Sequence, residues 1–210
     1  MTPSTHRPRS WRLYALLGAL ISSGALSACA PLIVGGAVLG GTLMVSDRRT
    51  SGTQIEDQAI ELKAMNRLHD QLGDRGHVST TSYNRMVLVT GEVPSDADKT
   101  TVEQTVSKIE NVRSTVNEVE VSGAPSFASR SNDAIITSKV KASFIDARDL
   151  FANTIKVVTE RGTVYLMGIV TEREATRAAD IARGVSGVHK VVKVFEIVSE
   201  AELASMSKTR

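Results

Sequence analysis

The sequence has a single cysteine, Cys29, in 210 residues, which excludes an intramolecular disulfide framework and any site built from several cysteines. Aromatic residues are scarce as well: one Trp, three Tyr and four Phe. With so few large rings a core must be filled by Val, Ile, Leu, Ala and Met, which suits small domains better than one large one. Nor is there a charge excess. The 25 basic and 23 acidic residues leave a formal +2, so there is no chain-wide case for neutralising nucleic-acid phosphates. With 41% hydrophobic and 23% charged residues, the chain is no disordered tail and has material for one medium domain or two small ones.

Groups that carry chemistry are also few. His6 lies in the N-terminal leader, and His69, His77 and His189 have no Cys or second His at ligand spacing, so no metal site is expected. Gly184-Val185-Ser186-Gly187 misses the spacing of a nucleophile elbow and ends a helical pattern, where it acts as a helix stop. No phosphate-cradling glycine loop occurs, and Glu172 and Glu174 fit capping and solvation better than acid–base work. The expectation is a protein that is not an enzyme and needs no cofactor.

What is present begins with an address. Residues 1–28 carry Arg7, Arg9 and Arg12, no acidic residue, and an apolar stretch from Leu13 to Ala28, the pattern of a signal peptide. It closes on Leu26-Ser27-Ala28-Cys29, which resembles the bacterial lipobox, in which the thiol receives a diacylglycerol. Cleavage before Cys29 leaves 22 basic against 23 acidic groups. Ala30 stands where, by resemblance to proteobacterial lipoproteins, an Asp would retain the product at the inner membrane, so the outer membrane is the expected destination. Residues 29–54 are read as the lipidated cysteine and a tether. The apolar run Ala30–Val45, with Gly35, Gly36, Gly40 and Gly41, is short for a span of about 20 residues and is expected to lie near the anchor.

The remainder reads as one unit used twice, at a shift of 76 to 77 residues. Met86–Val93 falls on Thr163–Val170 with Gly91 and Gly168 in register, and Asp57, Ile60 and Lys63 fall on Asp133, Ile136 and Lys139. Each copy opens with a helical pattern, about 57–72 and about 132–146, with Ile60, Ala64, Leu68 and Ile136, Val140, Phe144 at spacings of four. Two strands follow, His77–Ser82 with Arg85–Gly91 and Asn153–Thr159 with Gly162–Gly168. A second helix comes next, opened in the second copy by the capping box Thr171-Glu172-Arg173-Glu174 and in the first by a weaker version at Ser95 and Asp98. A valine-rich strand, Val112–Val121 or Val188–Val198, completes each unit. The expected fold class is therefore α+β, two tandem α-β-β-α-β units with helices packed on a small three-stranded sheet. The units are assigned to 55–121 and 132–198, with a linker at 122–131 and a tail at 199–210.

This order of elements, with a glycine closing the second strand, resembles the BON domain of bacterial envelope proteins. The lipobox, the glycine-rich apolar stretch, Asp47-Arg48-Arg49-Thr50-Ser51-Gly52-Thr53-Gln54, the two units, and Val158–Gly168 leading to Val170-Thr171-Glu172-Arg173-Glu174-Ala175 together resemble the dual-BON outer-membrane lipoproteins of the DolP (YraP) family. The resemblance implies a non-enzymatic protein on the periplasmic face of the outer membrane. Such a protein binds anionic phospholipid through the second unit and supports envelope integrity and division-linked peptidoglycan remodelling. Envelope or division proteins are possible partners; nucleic acid is not.

The residues themselves point to one face. With Ile136, Val140 and Phe144 turned to the core, Ile135, Ser138, Ala142 and Ile145 lie on the opposite side of the helix, and Lys139 and Lys141 flank them. An apolar strip between two ammonium groups fits an anionic headgroup boundary. The first copy offers Leu62, Met65 and His69 there, beside Glu61 and Asp70 and without the paired lysines. Two alternatives stand. Ile135 and Ile145 could pack against the other unit, and the chain could be a protein-interaction adaptor whose lipid contact is incidental.

Overall fold

The computed structural model describes residues 47–123 and 127–208, all inside one compact unit, Thr42–Arg210. The signal peptide, Cys29 and the apolar run lie outside the described residues.

Helix α1, Ser51–Leu72, starts where Thr50 Oγ1 accepts from the Thr53 amide, and buries Ile60, Ala64, Leu68 and Leu72. It begins earlier than its apolar period indicates, because the cap, not the first buried residue, sets the start. Strands β1, His77–Tyr83, and β2, Met86–Val93, pair antiparallel through Asn84 and Arg85, both at positive φ, the signature of a tight I′ hairpin. Neither residue is glycine, and the buried carboxylate of Asp57 offsets the strain by accepting from the amides of both and from Ser82 Oγ. In the second unit Asp133 accepts in the same way from the amides of Arg161 and Gly162. The two aspartates that mark the repeat are thus turn clamps.

Helix α2, Asp96–Ser107, is capped by Ser95. The third strand expected at 112–121 is interrupted: β3, Ser114–Asn117, and β4, Glu120–Val121, each pair parallel with β2. Between them the Asn117 side chain accepts from the Val119 amide and donates to the Lys99 carbonyl, a local bond that competes with the ladder. The expected linker is helical from its middle onward, since α3 runs Phe127–Asp146. Strands β5, Lys156–Glu160, β6, Thr163–Val170, and β7, Lys190–Ile197, form an uninterrupted sheet in the order β5-β6-β7, with α4, Glu172–Arg183, crossing over behind the capping box. The tail is not wholly irregular. Ser199 and Glu202 bond each other's amides and open α5, Glu200–Lys208.

Each unit has its own core, Ile60, Val87, Val89 and Val106 in the first and Ile136, Phe144, Val164 and Leu166 in the second. Val185, expected in the second core, is only partly buried at its margin. The sheets also bury their other faces, where β6 offers Tyr165, Met167 and Ile169 and β2 offers Leu88. Tyr83, Leu88, Tyr165, Met167, Ile169 and Val194 meet in a third cluster that joins the two units. Gly91 and Gly168 sit where a side chain has no room; a Cβ on Gly168 would lie 2.6 Å from the Thr154 carbonyl oxygen.

Candidate membrane-contact face

On α3 the inward residues Ile136, Val140 and Phe144 are buried, while Ile135 is 53% and Ile145 71% exposed. Ser138, Lys139, Lys141 and Ala142 are exposed with them, and Ser138 Oγ donates to the Ala134 carbonyl. Among the described residues no ion pair engages Lys139 or Lys141, so both ammonium groups face water. The one acid on the inner side of the helix, Asp133, is spent on the turn. The alternative that Ile135 and Ile145 pack against the first unit is not met: the sheet faces make that contact, and the helix stays outside it.

The corresponding face of α1 has exposed Leu62 and Met65, but its charges are committed. Lys63 pairs with Glu110 at 2.8 Å, and Glu61 accepts from the Ser82 amide and pairs with Lys156 across the units at 3.0 Å. A groove of about 380 Å³ lies between these α1 residues and strand positions Val78, Ser79 and Thr80.

The sequence reading missed what locks the units together. Asp47, Arg48 and Arg49 entered only as part of a family resemblance, and here they form a clamp. Arg49 bonds Asp57 at 2.8 Å and Asp47 at 2.7 Å, with its guanidinium 4.1 Å from the Tyr83 ring centroid. Arg48 forks onto both carboxylate oxygens of Glu174 at 2.7 Å, donates to the Ile169 carbonyl, and lies 5.8 Å from the Phe151 ring centroid. Burial opposes the charge on Glu174, but the bonds from Arg48 and the Thr171 amide outweigh it and hold the carboxyl below its ordinary range. The capping box thereby also anchors the 47–49 segment, a strap across the two units. The only sequence signal for this was an adjacent pair of arginines just ahead of a helix cap.

Three further bonds cross the seam. Arg113 and Asn84 reach Glu196 at 2.6 and 2.7 Å, and Arg161 reaches Glu92 at 2.6 Å. Around Arg161 the acids crowd. Burial, reinforced by Glu92 and Asp133, pushes the Glu160 carboxyl up to about 7. Among the described residues no cluster of His, Cys, Asp or Glu is placed to hold a metal ion, and no helix is long and apolar enough to cross a membrane.

The BON domain model matches twice, over residues 56–123 and 132–199. The chain is 40% identical over 188 residues to outer membrane lipoprotein DolP of Haemophilus influenzae, covering 88% of this chain and 95% of that protein. It is 32% identical to the 21 kDa hemolysin of Actinobacillus pleuropneumoniae, covering 72% of this chain and 79% of that protein. Identity to osmotically-inducible protein Y of Escherichia coli is 28%, covering 67% and 72%. With the repeat, the two sheets and these similarities together, the chain belongs to the dual-BON DolP family of outer membrane lipoproteins.

Proposed function

We propose that this lipoprotein is anchored through an acylated Cys29 and seats the outward face of α3 on anionic phospholipid, without catalysing a reaction. By family resemblance this contact serves envelope integrity and division-linked peptidoglycan remodelling from the periplasmic side. The observation that carries the reading is the exposed pair Ile135 and Ile145 between two lysines that form no ion pair among the described residues. Each lysine near an anionic surface contributes about 1 kcal/mol, and the isoleucines add apolar burial at the headgroup boundary. The test is co-sedimentation with liposomes. Reversing Lys139 and Lys141 to Glu together with Ile135→Ser should abolish binding to anionic vesicles while the fold is kept; unchanged binding by the folded variant defeats the proposal.

A second reading, that of an adaptor for envelope proteins, is favoured by the groove beside Leu62 and Met65, whose one charged lining residue is Glu61. With that carboxylate already paired with Lys156, the groove offers an apolar cleft and no lining cation for lipid phosphate, which suits a polypeptide better than an anionic bilayer. Binding to envelope proteins alone, with none to anionic liposomes, would select this reading.

A further inference from the structure

Phe151, between α3 and β5, is 66% exposed, in a chain that has few aromatics to leave in water. Its neighbour Leu150 fills the second core, which fixes the loop and leaves the ring turned outward. Arg148 in the same loop is exposed, and no ion pair among the described residues involves it; the adjacent Asp149 is taken by Arg177 at 2.8 Å. An exposed apolar side chain beside an uncommitted cation repeats, at the C-terminal end of α3, the arrangement that Ile145 and Lys141 make along it.

What covers this loop follows from the chain leading to it. Residues Ala30 to Val45 hold no charged side chain, and the first charged residues after them are Asp47, Arg48 and Arg49. An uncharged apolar run of this length in an outer membrane lipoprotein partitions to the lipid boundary. The described residues begin at Asp47, and the next residue, Arg48, stands over the Phe151 ring while forked onto Glu174. A charged residue close in sequence to the end of the apolar run thus stands beside the loop that carries the exposed ring.

We propose that the loop 147–151 is a second bilayer contact, in which Phe151 enters the acyl boundary and Arg148 meets a lipid phosphate, with Arg48 bracing the loop. This deepens the reading of α3 as a membrane face and rests on it for the presence of the bilayer. Two contacts fix the roll of the paired units on the surface, where a single helix face would leave it free.

The test exploits the lack of tryptophan after cleavage before Cys29, since the one Trp of the sequence, Trp11, lies in the leader. In the lipoprotein that begins at Cys29, Phe151→Trp and Ile145→Trp are made separately and incorporated in vesicles of phosphatidylcholine and phosphatidylglycerol with brominated acyl chains. The expected result is blue-shifted emission and bromine quenching at both positions. Quenching at 145 with a water-exposed, unquenched probe at 151 overturns this inference and leaves the α3 reading intact. Quenching at 151 alone upholds the loop contact and removes α3, whereas no quenching at either position ends both. As a second measure, Phe151→Ser in the compact chain from Thr42 should weaken binding to the same vesicles about tenfold, the loss expected for withdrawing one aromatic side chain from an apolar boundary. Unchanged affinity counts against the contact, and an unchanged thermal midpoint confirms that the exposed site left the fold alone.

Discussion

Arg161 Nε donates to Oε1 of Glu92 at 2.6 Å, tying the hairpin turn of the second unit to the central strand of the first. Glu92 is 1% exposed, and among the described residues its other oxygen has no hydrogen-bond partner; His77 Nδ1, likewise without one there, lies 3.6 Å away. The arginine is shared with Glu120, so negative charge outnumbers positive charge at this end of the seam.

Stability should record that imbalance. The Glu160 carboxyl titrates near 7 in the folded chain against an ordinary 4.5, so the folded state holds a proton that the unfolded state has released. Its contribution is therefore fully present below 4.5 and is lost as pH rises through about 7. Glu160→Gln should raise the thermal midpoint above pH 7 relative to the parent chain, with the gap closing toward pH 4.5; a pH-independent difference would contradict this origin.

Removing the strap should be costly. Arg48→Ala strands Glu174 in a buried site, and losing one partner of a buried pair costs about 3 to 5 kcal/mol. Arg48→Lys should recover only part of it, because a single ammonium cannot fork onto both oxygens. Urea unfolding measures the loss, and faster hydrogen exchange at the Thr171 amide should accompany it.

Gly168→Ala should destabilise the second unit through backbone crowding against Thr154, which cannot be relieved by a rotamer change. Circular dichroism and thermal unfolding should therefore show damage in the same variant that shows lost vesicle binding. Lost binding by a fully stable Gly168→Ala protein would instead assign this strand end a direct role.

Cys29→Ala should release the protein from membranes or leave it unprocessed on fractionation. Correct processing and normal outer-membrane retention of this variant would refute the anchor.

Local periodicity and short-range capping were enough to read the repeat, the helix faces and the second crossover. Ile136, Val140 and Phe144 at intervals of four can face one way only on a helix, and Thr171 reaches Glu174 within a single turn. The outward strip at Ile135 and Ile145 was legible for the same reason, as the complement of a core face. Element starts were read less well where a cap lay outside the apolar period, as at Thr50 and in the polar run before α3, and the Ser199–Glu202 box went unread.

The joining of the two units was decided in three dimensions. A strand such as β6, without a charged residue and apolar from Leu166 to Val170, announces that both faces are buried but not what buries them; Tyr165, Met167 and Ile169 could have faced a helix as well as a second sheet. The partners that close the seam are far apart along the chain, Arg48 with Glu174, Arg113 with Glu196 and Arg161 with Glu92, and each of these charges alone reads as a solvated surface residue. Sequence by itself determined two similar units and the face each helix hides, because those follow from contacts within a few residues. The clamp at Arg48 and Arg49 and the acid-rich seam exist only once the two units have packed, since that packing brings together charges that are distant along the chain.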